Sequence, residues 1–112
     1  MKYDIFTIPP FDKQLKRLSK KYPSIKKDFS AFLKSIKSNP KQGTSLGKNC
    51  YKIRLAIKSK GKGKSGGARV ILNIAVSEKN VFLLTIYDKS EQINITIQEI
   101  KRLLEYLPDD MS

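Results

Sequence analysis

The chain contains no histidine and a single cysteine, Cys50. Zinc and most other transition-metal sites are thereby excluded on ligands alone, because they are built from imidazole and thiolate. Ser-His-Asp and Cys-His catalysis fall with them. One cysteine cannot form an internal disulfide, which fits a reducing compartment, and a cytoplasmic location is expected. No apolar run approaches the roughly 18 residues of a membrane-spanning helix. The opening segment MKYDIFTIPPF has no apolar signal core. The most informative absence is of negative charge. Between Asp28 and Glu78 there is no acidic residue, while the same stretch carries eleven Lys or Arg. Of the other acids, Glu99, Glu105, Asp109 and Asp110 lie near the C-terminus, without the spacing of a two-metal nuclease. If the chain is an enzyme, its acids and bases are Lys, Arg, Tyr or a lone carboxylate.

What is present points to a polyanion. The formal charge is +13, and eight of the eleven basic residues crowd into Lys48–Arg69, KNCYKIRLAIKSKGKGKSGGAR. A block of one sign repels itself, and phosphates relieve that repulsion while releasing their own counterions. An anionic membrane surface would call for a basic amphipathic helix, but this block reads as strand and loop. With 112 residues and 39% hydrophobic content, residues 1–112 are expected to form one domain with one core.

The pattern along the chain is that of a small α+β domain: an N-terminal strand and helical hairpin packed on an antiparallel sheet, then a C-terminal helix. Tyr3 to Ile8 alternates as a short strand, ended by Pro9-Pro10. Phe11, Leu15 and Leu18 recur at helical spacing. After the break at Tyr22-Pro23-Ser24, so do Ile25, Phe29, Phe32, Leu33 and Ile36. Asn39-Pro40 stops the second helix, and Lys41 to Asn49 reads as a connection. Then Tyr51, Ile53, Leu55 and Ile57 alternate with Lys52, Arg54, Ala56 and Lys58. The glycine-rich stretch Ser59–Gly67 is too long for a tight hairpin turn and reads as a flexible loop. Arg69–Val76 and Val81–Tyr87 are the next strands, the latter apolar on both faces and so interior to the sheet. Thr96 and Glu99 have capping-box spacing. They open a helix lined by Ile97, Ile100, Leu103, Leu104 and Leu107, which Pro108 ends before a frayed tail, Asp109–Ser112.

If the strands pair in sequence, Lys52 and Arg54 lie beside Arg69, with Thr85, Tyr87 and Lys89 nearby. Like charges gathered on one face are costly unless an anion sits among them. A lysine crowded by cations can serve as a proton acceptor, and an arginine can stabilise charge developing on a phosphate. These parts suit metal-free RNA cleavage by attack of the 2′-OH on the adjacent phosphate. The alternation alone equally fits a solvated basic face. The loop bearing Lys58, Lys60, Lys62 and Lys64 reads as a grip on the RNA backbone. It is not a Walker A loop, which would need glycine where Lys58 stands and a helix where a strand follows. Tyr51 and Cys50 read as structural, and Tyr87 sits between a core and a site role.

CYKIRLAIKSKGKGKSGGARVI, followed by VFLLTIYDKSE and a C-terminal helix, resembles the RelE/ParE superfamily of type II toxin–antitoxin toxins. The long Lys-Gly loop is most similar to the HigB-like branch. The resemblance spans nearly the whole chain. It implies the RelE-like α+β fold, messenger RNA and the ribosome as partners, a cognate antitoxin, and no small-molecule cofactor. It further implies an mRNA endonuclease acting on ribosome-bound message. The alternatives within reach are a gyrase-inhibiting toxin of the same fold and a non-catalytic RNA-binding module with a decayed site. Lys52 and Arg54 match the family's paired basic residues, which bind phosphate; the second abstracts the 2′-OH proton when it is lysine. Arg69 matches the arginine that stabilises the phosphate, and Lys89 stands where an arginine acts as general acid. Arg54 is a poor base because guanidinium hardly deprotonates. The family's C-terminal tyrosine falls near Ile95, and Leu72-Asn73 replaces residues that are often aromatic in relatives. Tyr87 is the candidate substitute, as base or stacking ring.

Overall fold

The computed structural model describes residues 2–61, 63 and 66–108. The elements run β1 (Asp4–Thr7), α1 (Pro9–Lys21), α2 (Ile25–Ser38), β2 (Thr44–Gly47), β3 (Cys50–Leu55), β4 (Ala68–Ala75), β5 (Asn80–Asp88) and α3 (Ile97–Leu104). A 3₁₀ turn, Lys58–Lys60, follows β3. The five strands form one sheet in the order β1-β5-β4-β3-β2. β1 runs parallel to β5, while the other pairs are antiparallel. The sheet is therefore mixed, and larger than the three antiparallel strands expected from alternation. The additional pairing comes from Thr44–Gly47, read from sequence as a connection, and from β1 at the far edge. β5 is interior, as expected, and β4 is the central strand.

The helical hairpin covers one face of this sheet. Ile53, Leu55, Val70, Leu72, Ile74, Val81, Leu83 and Ile86 join Phe11, Leu18, Ile25 and Ile36 in the buried core. Burying an aliphatic side chain of this size is worth roughly 1.5–3 kcal/mol, and this face holds the layers together. α3 lies across the opposite face. Its Leu103 shares a cavity with Thr85, and its Leu104, with Leu107 just beyond the helix, shares another with Asn73 and Ala75. The capping box is present, with Thr96 Oγ1 accepting from Glu99 N at 3.1 Å. The helix stops at Leu104, four residues before Pro108, although Leu107 remains buried. The expected tail Asp109–Ser112 lies outside the described residues. No helix among the described residues is long and apolar enough to cross a membrane.

Two glycines set the geometry next to the cationic strand. Gly43 has φ +74°, and a Cβ there would lie 2.1 Å from Lys52 O. A Cβ on Gly67 would lie 2.2 Å from Leu55 O. Only the missing side chain lets these segments close on β3 from both sides.

Candidate functional site

The pairing of β3, β4 and β5 brings the cationic side chains together. Arg54 is the direct cross-strand partner of Arg69, and Arg69 that of Tyr87. Lys52, two residues before Arg54, shares its face. Lys89 follows β5, and its N–H donates to Gly67 O at 3.1 Å, which carries the β4–β5 pairing one step further. Lys52, Arg54, Arg69 and Lys89 line one cavity of about 720 Å³ together with Gln42, Gly43, Thr44, Ile53, Ile93 and Asn94. Among the described residues, the lining has no carboxylate. These four residues thus share one surface, on the face opposite the helical hairpin.

Burial was not legible in the sequence. Arg69 is 5% exposed, not the open-face charge that alternation suggested. Its Nη1 donates to Ala68 O at 3.1 Å. Burial, and then the charge of Arg54, lower its pKa from the ordinary arginine value. Tyr87 is 4% exposed, and its hydroxyl is buried without a hydrogen-bond partner among the described residues. Burial raises the Tyr87 pKa, Arg69 pulls it back, and Glu99 adds to the rise. The phenol is therefore neutral at physiological pH and stands as a proton donor, not as a ready base.

The loop lysines separate. Lys58 does not continue the strand's basic face, because β3 ends at Leu55 and Lys58 opens the 3₁₀ turn, where it is exposed. Lys60, expected on the RNA grip, points to Asp88 instead, with Nζ 2.6 Å from Oδ1 and 3.2 Å from Ser90 Oγ. Asp88 follows Tyr87 on the strand and so turns to the opposite, helical side. There its fully buried carboxylate also accepts a short hydrogen bond from Tyr22 and lies 3.7 Å from Lys21 Nζ. Burial alone would raise the Asp88 pKa. Hydrogen bonds from Lys60, Tyr22 and Ser90 outweigh it and hold the carboxyl well below the usual range. Lys62 and Lys64 lie outside the described residues. Cys50 is buried, and desolvation raises its thiol pKa, as befits a structural residue.

Beyond Ile53, read as core, sequence reasoning missed Gln42, Gly43, Thr44, Ile93 and Asn94 among the residues lining this cavity. Ile93 and Asn94 sit in the β5–α3 connection and show no periodicity or motif, so no sequence signal marked them. Asp88 was likewise passed over, because a lone acid after a strand carries no pattern.

The comparisons with known proteins agree with this fold. Residues 11–108 match the family described as the RelE toxin of the RelE / RelB toxin-antitoxin system. The fold is similar to that of a mutant of the E. coli toxin RelE in the free state, with TM-score 0.61 and 15% identity, covering 96% of this chain and 100% of that one. It is similar also to the isolated E. coli RelE toxin, with TM-score 0.60 and 15% identity, covering 94% and 99% of the two chains. At this identity the solved structures bear on fold alone, whereas the family match spans most of the chain. A small mixed α+β sheet, with a basic cavity on the face opposite a helical hairpin, belongs to a protein of the RelE toxin family.

Proposed function

We propose that this toxin is a metal-independent endonuclease that cuts messenger RNA on the ribosome in the cytoplasm, and that a cognate antitoxin holds it inactive. One observation carries the reading. Arg54 and Arg69 stand directly opposite each other across β3 and β4, in a cavity that also takes Lys52 and Lys89 and, among the described residues, has no carboxylate in its lining. Like charges directly opposed on a sheet are destabilising. A phosphate between them removes that cost and gains charge-assisted hydrogen bonds. A divalent metal ion would be repelled by the same lining.

The parts divide as follows. Arg69, held by its burial, and Arg54 stabilise the extra negative charge on the phosphate as the 2′-oxygen adds to phosphorus. The P–O5′ bond then breaks, leaving a 2′,3′-cyclic phosphate and a 5′-hydroxyl. Lys52, in its neutral amine form, receives the 2′-OH proton, and Lys89, as the ammonium, delivers a proton to the departing O5′. Tyr87, neutral beneath Arg69, donates its hydroxyl toward the phosphate or the leaving oxygen once a ligand is present. The resting orphan hydroxyl of Tyr87 supports that assignment, because buried polar groups without partners are rare outside functional sites.

The test is induced expression, with cleavage of translated messages mapped by primer extension, with and without EDTA while ribosomes are kept intact. Growth arrest with metal-independent cuts, both relieved by Lys89→Ala, is the expected result. Strong inhibition by EDTA, or arrest with trapped gyrase–DNA complexes and uncut messages, would overturn the assignment.

A further inference from the structure

We propose that Ile93 and Asn94 form a base-receiving subsite, which holds the base of a nucleotide flanking the scissile phosphate of single-stranded RNA. The inference rests on the endonuclease reading and adds a specificity element to it. Ile93 is 84% exposed, more than the other large exposed apolar residues among those described, Phe6, Val76, Ile97 and Tyr106. A single exposed isoleucine is ordinary on a protein surface. This one lines the cationic cavity itself, with Lys52, Arg54, Arg69 and Lys89 as its co-lining residues. Cations beside one apolar platform match single-stranded nucleic acid, whose phosphates take the charges and whose bases need a surface to lie on.

The connection that carries Ile93 is fastened on both sides. Ser90 N and Oγ donate to Asp88 Oδ1 at 2.9 and 2.7 Å. Glu91 holds Arg17 at 2.8 Å and Lys21 at 3.2 Å on α1. Gln92 Nε2 donates to Asn94 O at 2.9 Å, and the capping box fixes the far end. Ile93 is therefore displayed in advance of binding, so little ordering cost is due when a base arrives. Asn94 adds direction. Its Oδ1 accepts from Ile95 N at 2.9 Å, which orients the amide and leaves the Nδ2 hydrogens as donors. A donor next to an apolar platform suits a base that offers an acceptor on its edge.

The experiment uses the full-length toxin and ribosome-bound synthetic messages that carry one abasic ribonucleotide beside the cut, on each side in turn. At one of the two positions the missing base slows the wild-type protein about fivefold, the low end of what losing a base-stacking contact does. Ile93→Ala slows cleavage of the intact message by a similar factor, and the abasic site then has no further effect. Ile93→Tyr, which supplies a ring, restores the dependence on the base. Asn94→Ala changes the order of preference among bases at that position, which a merely structural role would not do. If the abasic site slows Ile93→Ala as much as wild type, or does not slow wild type at either position, the subsite is overturned. It is overturned also if Ile93→Ala cuts like wild type but escapes the antitoxin, since Ile93 is then an anchor for protein. If the wild-type protein cuts no message, the endonuclease reading fails first and takes the subsite with it.

Discussion

At the scale of single residues, the site joins groups that stability alone would not bring together. Arg69 is nearly buried opposite Arg54, and the Tyr87 hydroxyl is buried without a hydrogen-bond partner among the described residues. Removing such a hydroxyl removes its desolvation cost, so Tyr87→Phe should stabilise the free protein by about 1 kcal/mol. That corresponds to a rise in melting temperature of about 4 °C, measurable by calorimetry. The same variant should cut messages at least about tenfold more slowly if the hydroxyl meets the phosphate, as for a lost transition-state hydrogen bond. A more stable and equally active Tyr87→Phe protein would remove Tyr87 from the mechanism and leave the proton transfers to the two lysines. Arg69→Lys keeps the charge but loses the planar pair of donors, and should slow cleavage on the order of a hundredfold. It tests the role better than Arg69→Ala, which would also empty a buried volume. The sequence located Arg69 by its place after the glycines. Its burial depends on neighbours such as Tyr87, which the sheet brings in from a distant part of the chain, and no local pattern encodes that.

At the scale of elements, Asp88 joins three segments that the sequence keeps apart: the end of α1 through Tyr22 and Lys21, the 3₁₀ turn through Lys60, and the connection to α3 through Ser90. Breaking a buried pair on one side leaves the other charge uncompensated, so Asp88→Asn should cost about 3 kcal/mol at neutral pH. The folded pKa of Asp88 lies below its unfolded value of about 3.9. Its contribution is therefore complete at neutral pH and is lost as pH falls below about 4 toward the folded value. Denaturant titrations at pH 7 and pH 3 should show the gap between wild type and Asp88→Asn narrowing in acid. A constant gap would place the effect in packing instead of charge. Thr96→Ala should cost about 1 kcal/mol by removing the cap of α3. That cap was legible because threonine and glutamate three apart suffice to specify it. The helical hairpin was legible for a similar reason, through the period of Phe11, Leu15 and Leu18. β2 was not, since Thr44–Gly47 has no alternation and is recruited by Gly43 closing against Lys52. The crossing of α3 over the cavity side of the sheet was also hidden, because its apolar residues state that it packs but not where.

At the scale of the whole molecule, the basic residues behind the charge of +13 include two groups put to different uses. Lys60, Lys21 and Arg17 face acids and hold the fold together. Lys52, Arg54, Arg69 and Lys89 face one another around a cavity with no carboxylate in its lining among the described residues. Composition gave the sum, and alternation gave the face for the first pair. Only the register shows that the second group converges on one cavity. This division fixes the expected salt dependence. If four cations meet four phosphates of single-stranded RNA, log K should fall with log salt at a slope of about −3, near 0.7 per phosphate. Lys89→Ala should make that slope shallower by roughly 0.7, whereas removing Lys60 should leave it unchanged while lowering stability. Fluorescence anisotropy against a labelled single-stranded RNA, over a series of potassium chloride concentrations, measures both. The antitoxin enters the same argument from the other side. An acidic segment that covers this cavity would compete for the same four charges, so its affinity should weaken with salt and with Lys52→Glu, and it should displace the RNA. If the antitoxin instead binds Lys52→Glu as it binds wild type and leaves RNA affinity untouched, inhibition acts away from the cavity, and the charge on this face answers to RNA alone.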